Sequence, residues 1–573
     1  MQTRESRLGW WREARFGMFV HWGVYSHLAG VWEGEPVRGY AEHIQRMRKI
    51  PGAVYRERAA GQFNPTAFDA DEWVRALKAA GMGYLVITAK HHDGFAMYDS
   101  AVSDYNVVKA TPWKRDPMRA LADACRRQGV RFGFYYSHAF DWGDAEGPGN
   151  DWEYQNPGGD RLLHGAEWWL AAPELLPRVR RYVDRKAIPQ VQELVRLYDP
   201  DILWFDTPHK LPLEENLRIL RAAREAKPSV VINSRACQPV PGGPRDRFGD
   251  YLSTADKPAE FPPHDGDWEA IPTTNESYGY HRLDLSHKPP AHFIQLLAKA
   301  AARGGNVLLN LGPMGDGRFD PKDTAILEGI GVWMKANGDS IRGTTRTPLP
   351  VQAWGESTRR GGTLYLHVFT WPRQGRLLVG GLRARVGRAY LLADPARAAL
   401  PVERAGDRDL LVRLPASAPD PVDTVVALET EGELAVDAAR LLSTDVPTDT
   451  LRAFDARLQG DGLSFGAGKL REAYVQGWTK AGDSVRWPVR LRERAAFEVA
   501  ITYDAPPGSE GGRFSVTLGP RSLPGTIHAG TSQSEALGRV GLEPGELEIA
   551  VVPVEIRGGE LMRLRAVTLT PVR

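Results

Sequence analysis

From residue 10 to about 345 the chain alternates between two patterns of apolar and polar positions. Short, nearly unbroken apolar runs recur: FGMFVHWG (16–23), GYLVITA (83–89), RFGFYYS (131–137), DILWFD (201–206), VVINSR (230–235) and NVLLNLGP (306–313). Runs of this length, rich in β-branched and aromatic residues, predict strands buried on both faces. Between them lie amphipathic segments. DADEWVRALKAAG (69–81) starts acidic and closes on glycine, and DPMRALADACRRQG (116–129) repeats that design. VQELVRLY (191–198) and EENLRILRAARE (214–225) follow the same helical period. Strand–helix alternation predicts a parallel sheet covered by helices. With this many units before residue 345, a (β/α)8-like barrel is favoured over an open doubly wound sheet. No GxGxxG follows any of the strands, which counts against dinucleotide binding.

After about 345 the pattern changes. TLYLHVFTW, RLLVGG, YLLAD, LLVRL and TVVALE are short strands at close spacing, joined by Gly, Pro and Arg turns. They predict an antiparallel β-sandwich over 346–435. A Pro-, Asp- and Thr-bearing stretch at 435–460 reads as a linker. SVRWPVRL, AAFEVAITYD, RFSVTLG, LEIAVVPVEI and MRLRAVTLTPV then predict a second sandwich, so 436–573 reads as linker plus a second, carbohydrate-binding-like β-sandwich. No internal repeat is evident.

Composition narrows the class. The chain has 573 residues, 42% hydrophobic and 25% charged, as ordinary globular proteins do. Its 73 basic and 71 acidic side chains leave a net charge of +2, so nothing in the charge points to nucleic acid or an anionic membrane as partner. Seventeen Trp suit either core packing or stacking on sugar rings. Cys125 and Cys237 are the only cysteines and form no disulfide framework. The charged N-terminus lacks the apolar segment of a secretory signal, and no run of about 18 apolar residues occurs; a cytoplasmic location is expected.

Candidate chemistry sits where the apolar runs stop. They end in His21-Trp22, Lys90-His91-His92-Asp93, Tyr135-Tyr136-Ser137, Trp204-Phe205-Asp206, Asn233-Ser234-Arg235 and Asn310. In a parallel barrel the C-terminal strand ends carry the site. Imidazoles, phenols, indoles, one Arg and one carboxylate there would suit a small polyhydroxylated ligand. Asp206 ends ILWF and could attack an anomeric carbon. It could equally cap the structure that follows.

The blocks FGMFVHWGVYS, AEHIQRMRKIP, QFNPTAFDADEWVRALKAAGMGYLVITAKHHDGFAMYDS, RFGFYYS, ILWFD, GDYLSTADKPAEF, DWEAIPTTNESYGY and RGGNVLLNLGPMGDG occur in that order. Together they resemble the retaining α-L-fucosidases of glycoside hydrolase family 29 over roughly residues 10–345, and the β regions that follow resemble the family's C-terminal modules. The resemblance implies hydrolysis of terminal α-L-fucosyl residues by a two-step covalent mechanism, with fucosylated glycans as partners and no cofactor. It implies Asp206 as nucleophile. It implies His21, His91, His92, Trp204, Tyr136 and Arg235 as sugar-binding groups, Tyr278 against the fucose methyl group, and Glu42 in the pocket. His43 stands where many members carry Trp. For the acid/base, Asp256 aligns best, with Glu260 close behind and Glu269 further on. Retention requires the two carboxyl groups about 5–5.5 Å apart, which leaves the three candidates open.

Two readings of other classes stand beside this one. The first is a glycan-binding protein on a barrel scaffold. The second is a metal-dependent hydrolase centred on His91 and His92. Against the second, adjacent residues of an extended chain point in opposite directions, and no further Cys/His cluster supplies the remaining ligands; no metal is expected. The Gly-rich GGNVLLNLGPMGDGR segment lacks the GxxxxGK[ST] pattern of a phosphate loop.

Overall fold

The computed structural model describes residues 3–160, 167–239 and 248–572. The first helix, α1 (Arg4–Ala14), leads into an eight-stranded parallel sheet. Its strands are β1 (Phe16–Val20), β2 (Tyr84–Lys90), β3 (Arg131–Tyr136), β4 (Ile202–Phe205), β5 (Val231–Ile232), β6 (Leu252–Asp256), β7 (Trp268–Ile271) and β8 (Asn306–Leu311). Each strand neighbours the next in chain order except β5 and β6, which are the two ends of the sheet, and β1 pairs with both β2 and β8. A parallel bridge between Asn233 and Tyr251 joins β5 to the start of β6. The result is the curled (β/α)8-like sheet that the alternation predicts.

All six apolar runs are strands. Two more, β6 and β7, were not legible. LSTAD is half polar, and Glu269 interrupts the apolar run of WEAI. That interruption is tolerated because four side chains donate hydrogen bonds to Glu269.

The helices form where their caps are written. In α2 (Ala70–Ala79) the N-cap Asp69 accepts from Glu72 N–H at 3.0 Å. In α3 (Pro117–Gln128) Asp116 accepts from Met118 and Arg119 N–H, Pro117 fills the first helical position, and Gly129 ends the helix in the left-handed region. The other two predicted helices are α4 (Ile188–Tyr198) and α5 (Leu213–Ala226). Phe19, Tyr84, Val86, Tyr135, Ile202, Trp204, Val231, Ile271 and Leu308 meet in the core inside the sheet.

The chain divides into two compact units. Unit 1 is 1–254, 266–293 and 305–335; unit 2 is 255–265, 294–304 and 336–573. In unit 2, a four-stranded and a three-stranded antiparallel sheet occupy the region up to Glu431, with Trp354, Leu366, Val379, Val412 and Val426 in their shared core. Two six-stranded sheets follow, packed through Trp478, Trp487, Phe497, Ile501 and Val551. The stretch at 435–460 is more than a linker. It contributes strands Arg440–Leu441, Asp449–Arg452 and Arg457–Gln459, and Arg440 is ion-paired with the buried Asp449. Apolar alternation there is too short to register in sequence.

Segment 255–265, which carries Asp256 and Glu260, belongs to unit 2. Ala259 N–H and Glu260 N–H both donate to Gly468 O, at 2.8 and 3.0 Å. Gly468 has φ 81°, and a Cβ there would lie 2.2 Å from Glu260 O. Only glycine fits this approach.

Both cysteines are buried and unpaired by disulfide, and several Trp (11, 22, 142, 204, 268, 478, 487) are fully buried. Most of the tryptophan excess is therefore core. Among the described residues no helix is long and apolar enough to cross a membrane.

Candidate active site

Asp206 is the first residue beyond β4. Asn233 fixes that strand end: its amide accepts from Phe205 N–H at 2.8 Å and donates to Phe205 O at 2.9 Å. This replaces the ladder that the two-residue β5 no longer supplies, and it makes Asn233 a positioning residue that the sequence marked only as polar. Thr207 follows in the left-handed region at φ 52°, ψ 44°, an uncommon conformation for a β-branched residue that costs about 1–3 kcal/mol. This turn aims the carboxylate without burying it in a helix cap: among the described residues the backbone N–H bonded to it is that of Thr207, its own neighbour, at 2.9 Å.

Two further donors divide the carboxylate between them. Tyr135 donates its hydroxyl to Oδ2 and Arg235 donates Nη1 to Oδ1, each at 3.0 Å. Arg235 also donates Nη2 to Thr254 O at 2.7 Å. Burial alone would raise the pKa of Asp206, but the charge and hydrogen bond of Arg235, with the Tyr135 and Thr207 donors, hold it below the usual aspartate range. The group is an ionised carboxylate.

Tyr136, expected at the site, faces the other way. Its hydroxyl donates to Gln190 at 2.9 Å on α4, and the ring packs beside Lys90. Side chains alternate along a strand, so of two consecutive tyrosines only one can face the sheet interior. The register pairs Tyr135 with Trp204, which puts Tyr135 in phase with Asp206.

The KHHDGF segment separates into scaffold and site. Lys90 is fully buried and donates to Asp141 at 2.8 Å and Tyr182 at 2.9 Å. Asp93 accepts from Tyr55 OH and Phe95 N–H, both at 3.1 Å. Gly94 has φ 75°, and a Cβ there would lie 2.0 Å from Asp141 Oδ1. The strand therefore stops at Lys90 and turns. The two adjacent imidazoles, expected to diverge, converge instead: the rings of His91 and His92 are 4.3 Å apart between centroids.

Tautomers follow from the hydrogen bonds. Ser137 spends its hydroxyl proton on Phe140 O at 2.8 Å, so at its 2.7 Å contact with His92 Nδ1 it accepts. His92 Nε2 then carries the lone pair, 3.8 Å from Asp206 Oδ2. Asn310 donates its amide to Tyr278 O at 2.8 Å, which leaves Oδ1 as acceptor for His21 Nδ1–H at 2.6 Å. Burial, aided by neighbouring imidazoles, pushes His91 and His92 well below the usual histidine pKa. His91 lies parallel to Tyr135 at 5.3 Å, and its rings meet those of His21 and His43 at 5.5 and 5.9 Å. His43 thus joins the group from the 41–47 turn. It is the imidazole that the sequence reading did not connect with His91 and His92.

Tyr278 brings an aromatic face to His21 at 4.8 Å and turns its hydroxyl to Ile271 O at 2.9 Å. Glu42 is buried, and its Oε2 accepts from Gly279 N–H at 2.7 Å, which secures the loop that carries Tyr278. Trp204 lies parallel to Tyr135 at 5.5 Å, with the Arg235 guanidinium 5.0 Å from its ring centre.

The three acid/base candidates occupy different environments. Glu269, expected in a loop, is the second residue of β7 and fully buried. It accepts from Tyr84 (2.7 Å), Tyr251 (2.9 Å), Trp11 and Trp204 (3.2 Å each). Burial pushes its pKa up to about 7 against these donors. A carboxyl enclosed by four core side chains on the sheet interior has no access to a leaving oxygen. Glu260 is held by Lys299 at 2.6 Å and Arg452 at 3.6 Å. Despite burial, those cations and Arg303 lower it to about 2, so it carries no proton to give at neutral pH. Asp256 is the last residue of β6 and half-buried.

An ionised carboxylate held by two directional donors at the end of a barrel strand, beside neutral imidazoles and aromatic faces, defines a carbohydrate-cleaving barrel enzyme. The alpha-L-fucosidase family model matches residues 2–339, well over half of the chain. The chain belongs to the alpha-L-fucosidase family, a family of glycoside hydrolases. It is 31% identical over 390 residues to the tissue alpha-L-fucosidase of Rattus norvegicus, covering 64% of this chain and 77% of that one. The crystal structure of alpha-L-fucosidase from Vibrio sp. strain EJY3 matches with a TM-score of 0.80 at 26% identity, over 99% of this chain and 98% of that one. A Bacteroides thetaiotaomicron alpha-L-fucosidase, solved as a trapped covalent intermediate with 2-fluoro-fucosyl fluoride, matches with a TM-score of 0.63 at 28% identity, over 75% and 97% of the two chains.

Proposed function

We propose that this chain is a retaining exo-α-L-fucosidase that releases terminal α-L-fucosyl residues, with Asp206 as nucleophile and Asp256 as acid/base. The observation that carries the reading is the ionised Asp206, with one oxygen on Tyr135 and the other on Arg235, in a chain of this family. In the first step an Asp206 oxygen forms a bond to C1 of the sugar as the C1–O bond to the leaving group breaks, and Asp256 delivers its proton to the departing oxygen. In the second, Asp256 takes a proton from water, whose oxygen attacks C1 and frees Asp206. Imidazole Nε2 lone pairs on His21 and His92 accept from sugar hydroxyls, and the Tyr278 face lies against the apolar side of the ring. Asp256 takes the acid role because Glu260 is ion-paired and Glu269 is enclosed. The trapped covalent intermediate of the Bacteroides relative supports the two-step course.

The test uses an aryl α-L-fucoside and a 2-fluoro-fucosyl fluoride. Wild type should release the phenol, with α-L-fucose as the first-formed anomer by NMR. It should also gain one fluorofucosyl mass on the peptide containing Asp206. First-formed β-L-fucose, or a label on another residue, overturns the reading.

A further inference from the structure

His43, His91 and His92 each offer a ring nitrogen, and these nitrogens lie within 4.8 Å of one another. We propose that the three imidazoles form a site for a late first-row divalent cation, Zn2+ above all, and that the bound ion excludes the sugar. Fixed geometry brings the ligands together. The turn at Gly94 makes His91 and His92 converge, and the His43 ring stands 5.3 Å from His92 and 5.9 Å from His91. The Ser137 hydrogen bond commits the His92 proton to Nδ1, the outer-shell arrangement that leaves a metal-binding Nε2. His91 Nδ1 is buried and has no hydrogen-bond partner among the described residues.

The chemistry selects the ion. Neutral imidazoles suit Zn2+, Ni2+ and Cu2+ and offer nothing to Ca2+ or Mg2+, which need oxygen ligands. Nitrogens around one tetrahedral Zn2+ stand about 3.3 Å apart, given Zn–N bonds of about 2.0–2.1 Å. Rotation of the half-exposed His43 side chain supplies the required closure. Asp206 Oδ2 lies 3.8 Å from His92 Nε2, so an ion on that nitrogen sits beside the carboxylate. The cations around the cluster are already balanced, Lys90 by Asp141, Arg46 by Asp160 and Arg235 by Asp206. An ion held there occupies the lone pairs that sugar hydroxyls would use and engages Asp206, so it inhibits rather than catalyses. Ion binding rests on the three imidazoles alone, whereas competition with sugar rests on the fucosidase reading.

The probe is the metal alone. Chelator-treated full-length protein is titrated calorimetrically with Zn2+, and Co2+ is added to read the visible bands of a tetrahedral nitrogen-rich site. One Zn2+ per chain is expected, with affinity at least ten-fold weaker in His43→Phe and again in His92→Phe. In His528→Ala, an exposed imidazole of the terminal sandwich, affinity stays at the wild-type value; melting curves establish that each variant is folded. Absence of a one-to-one site, or equal affinity in wild type, His43→Phe and His92→Phe, overturns the proposal. Saturating L-fucose should weaken Zn2+ binding at least ten-fold. If L-fucose binds and leaves Zn2+ affinity unchanged, the exclusion is overturned. If L-fucose does not bind at all while Zn2+ does, it is the fucosyl reading of the pocket that fails, and the ion site stands.

Discussion

Arg235 and Asp206 share a 3.0 Å hydrogen bond in which one guanidinium nitrogen faces one carboxylate oxygen, and the other guanidinium nitrogen is tied to the backbone at Thr254. The cation is therefore fixed from two sides. It is the strongest influence holding Asp206 in its charged form.

Removing that charge should move the acid limb of the rate profile. In Arg235→Met, burial prevails over the remaining donors, and the pKa of Asp206 rises. Asp206 then protonates at higher pH, so on its proposed role the acid limb of kcat/KM should shift upward. At neutral pH kcat/KM should also fall by about 10²–10³-fold. An unshifted acid limb would show that Arg235 does not set the ionisation of Asp206.

The two consecutive tyrosines should separate cleanly. Tyr135→Phe deletes a hydrogen bond to a charged acceptor, and kcat/KM should fall by about 10–100-fold. Tyr136→Phe leaves Gln190 without its buried donor, which should cost about 1–3 kcal/mol of stability while kcat/KM holds. Denaturant melts and steady-state kinetics on both variants give the comparison; the reverse pattern would place the wrong tyrosine at Asp206.

Leaving-group dependence should distinguish Asp256 from Glu260. Asp256→Ala should lose far more activity on a poorly activated fucoside than on a nitrophenyl one, because only the former needs a proton delivered. Glu260→Ala should slow both substrates alike. Its main effect should be a stability loss on the order of 2 kcal/mol, below the range for a fully buried pair because the side chain keeps 15% exposure.

Glu269 should appear in the pH dependence of stability. Its folded pKa, about 7, lies above the unfolded value of 4.5. Its contribution is thus fully present below pH 4.5 and is lost as pH rises to 7. Glu269→Gln removes that loss. Relative to wild type the variant should gain up to about 1.4 kcal/mol per pH unit between 4.5 and 7, and nothing above. Parallel stability curves across that window would show that the buried carboxyl does not titrate there.

Much of the architecture was legible because it is local. Asp116, Pro117 and Gly129 spell out a helix from cap to cap, and six apolar runs mark six strands. The candidate site was legible at Asp206, Arg235 and the imidazoles, since strand ends in a parallel barrel converge. What stayed hidden depends on register and distant partners. Tyr135 and Tyr136 are equivalent until the pairing with Trp204 fixes the phase. Glu260 reads as a loop carboxylate until Lys299 and Arg452 close on it from positions 39 and 192 residues away. His43 joins His91 and His92 only because of a turn that Gly94 permits.

The contact of Gly468 with the 259–260 backbone bears on how the protein is made. A ribosome finishes residues 255–265 long before residue 468 leaves the exit tunnel. Through that interval Ala259 and Glu260, just beyond the strand that ends at Asp256, lack the carbonyl of Gly468 that accepts their N–H groups. On the proposed role of Asp256, a nascent chain stalled before residue 468 should therefore turn over substrate more slowly than the same chain once released.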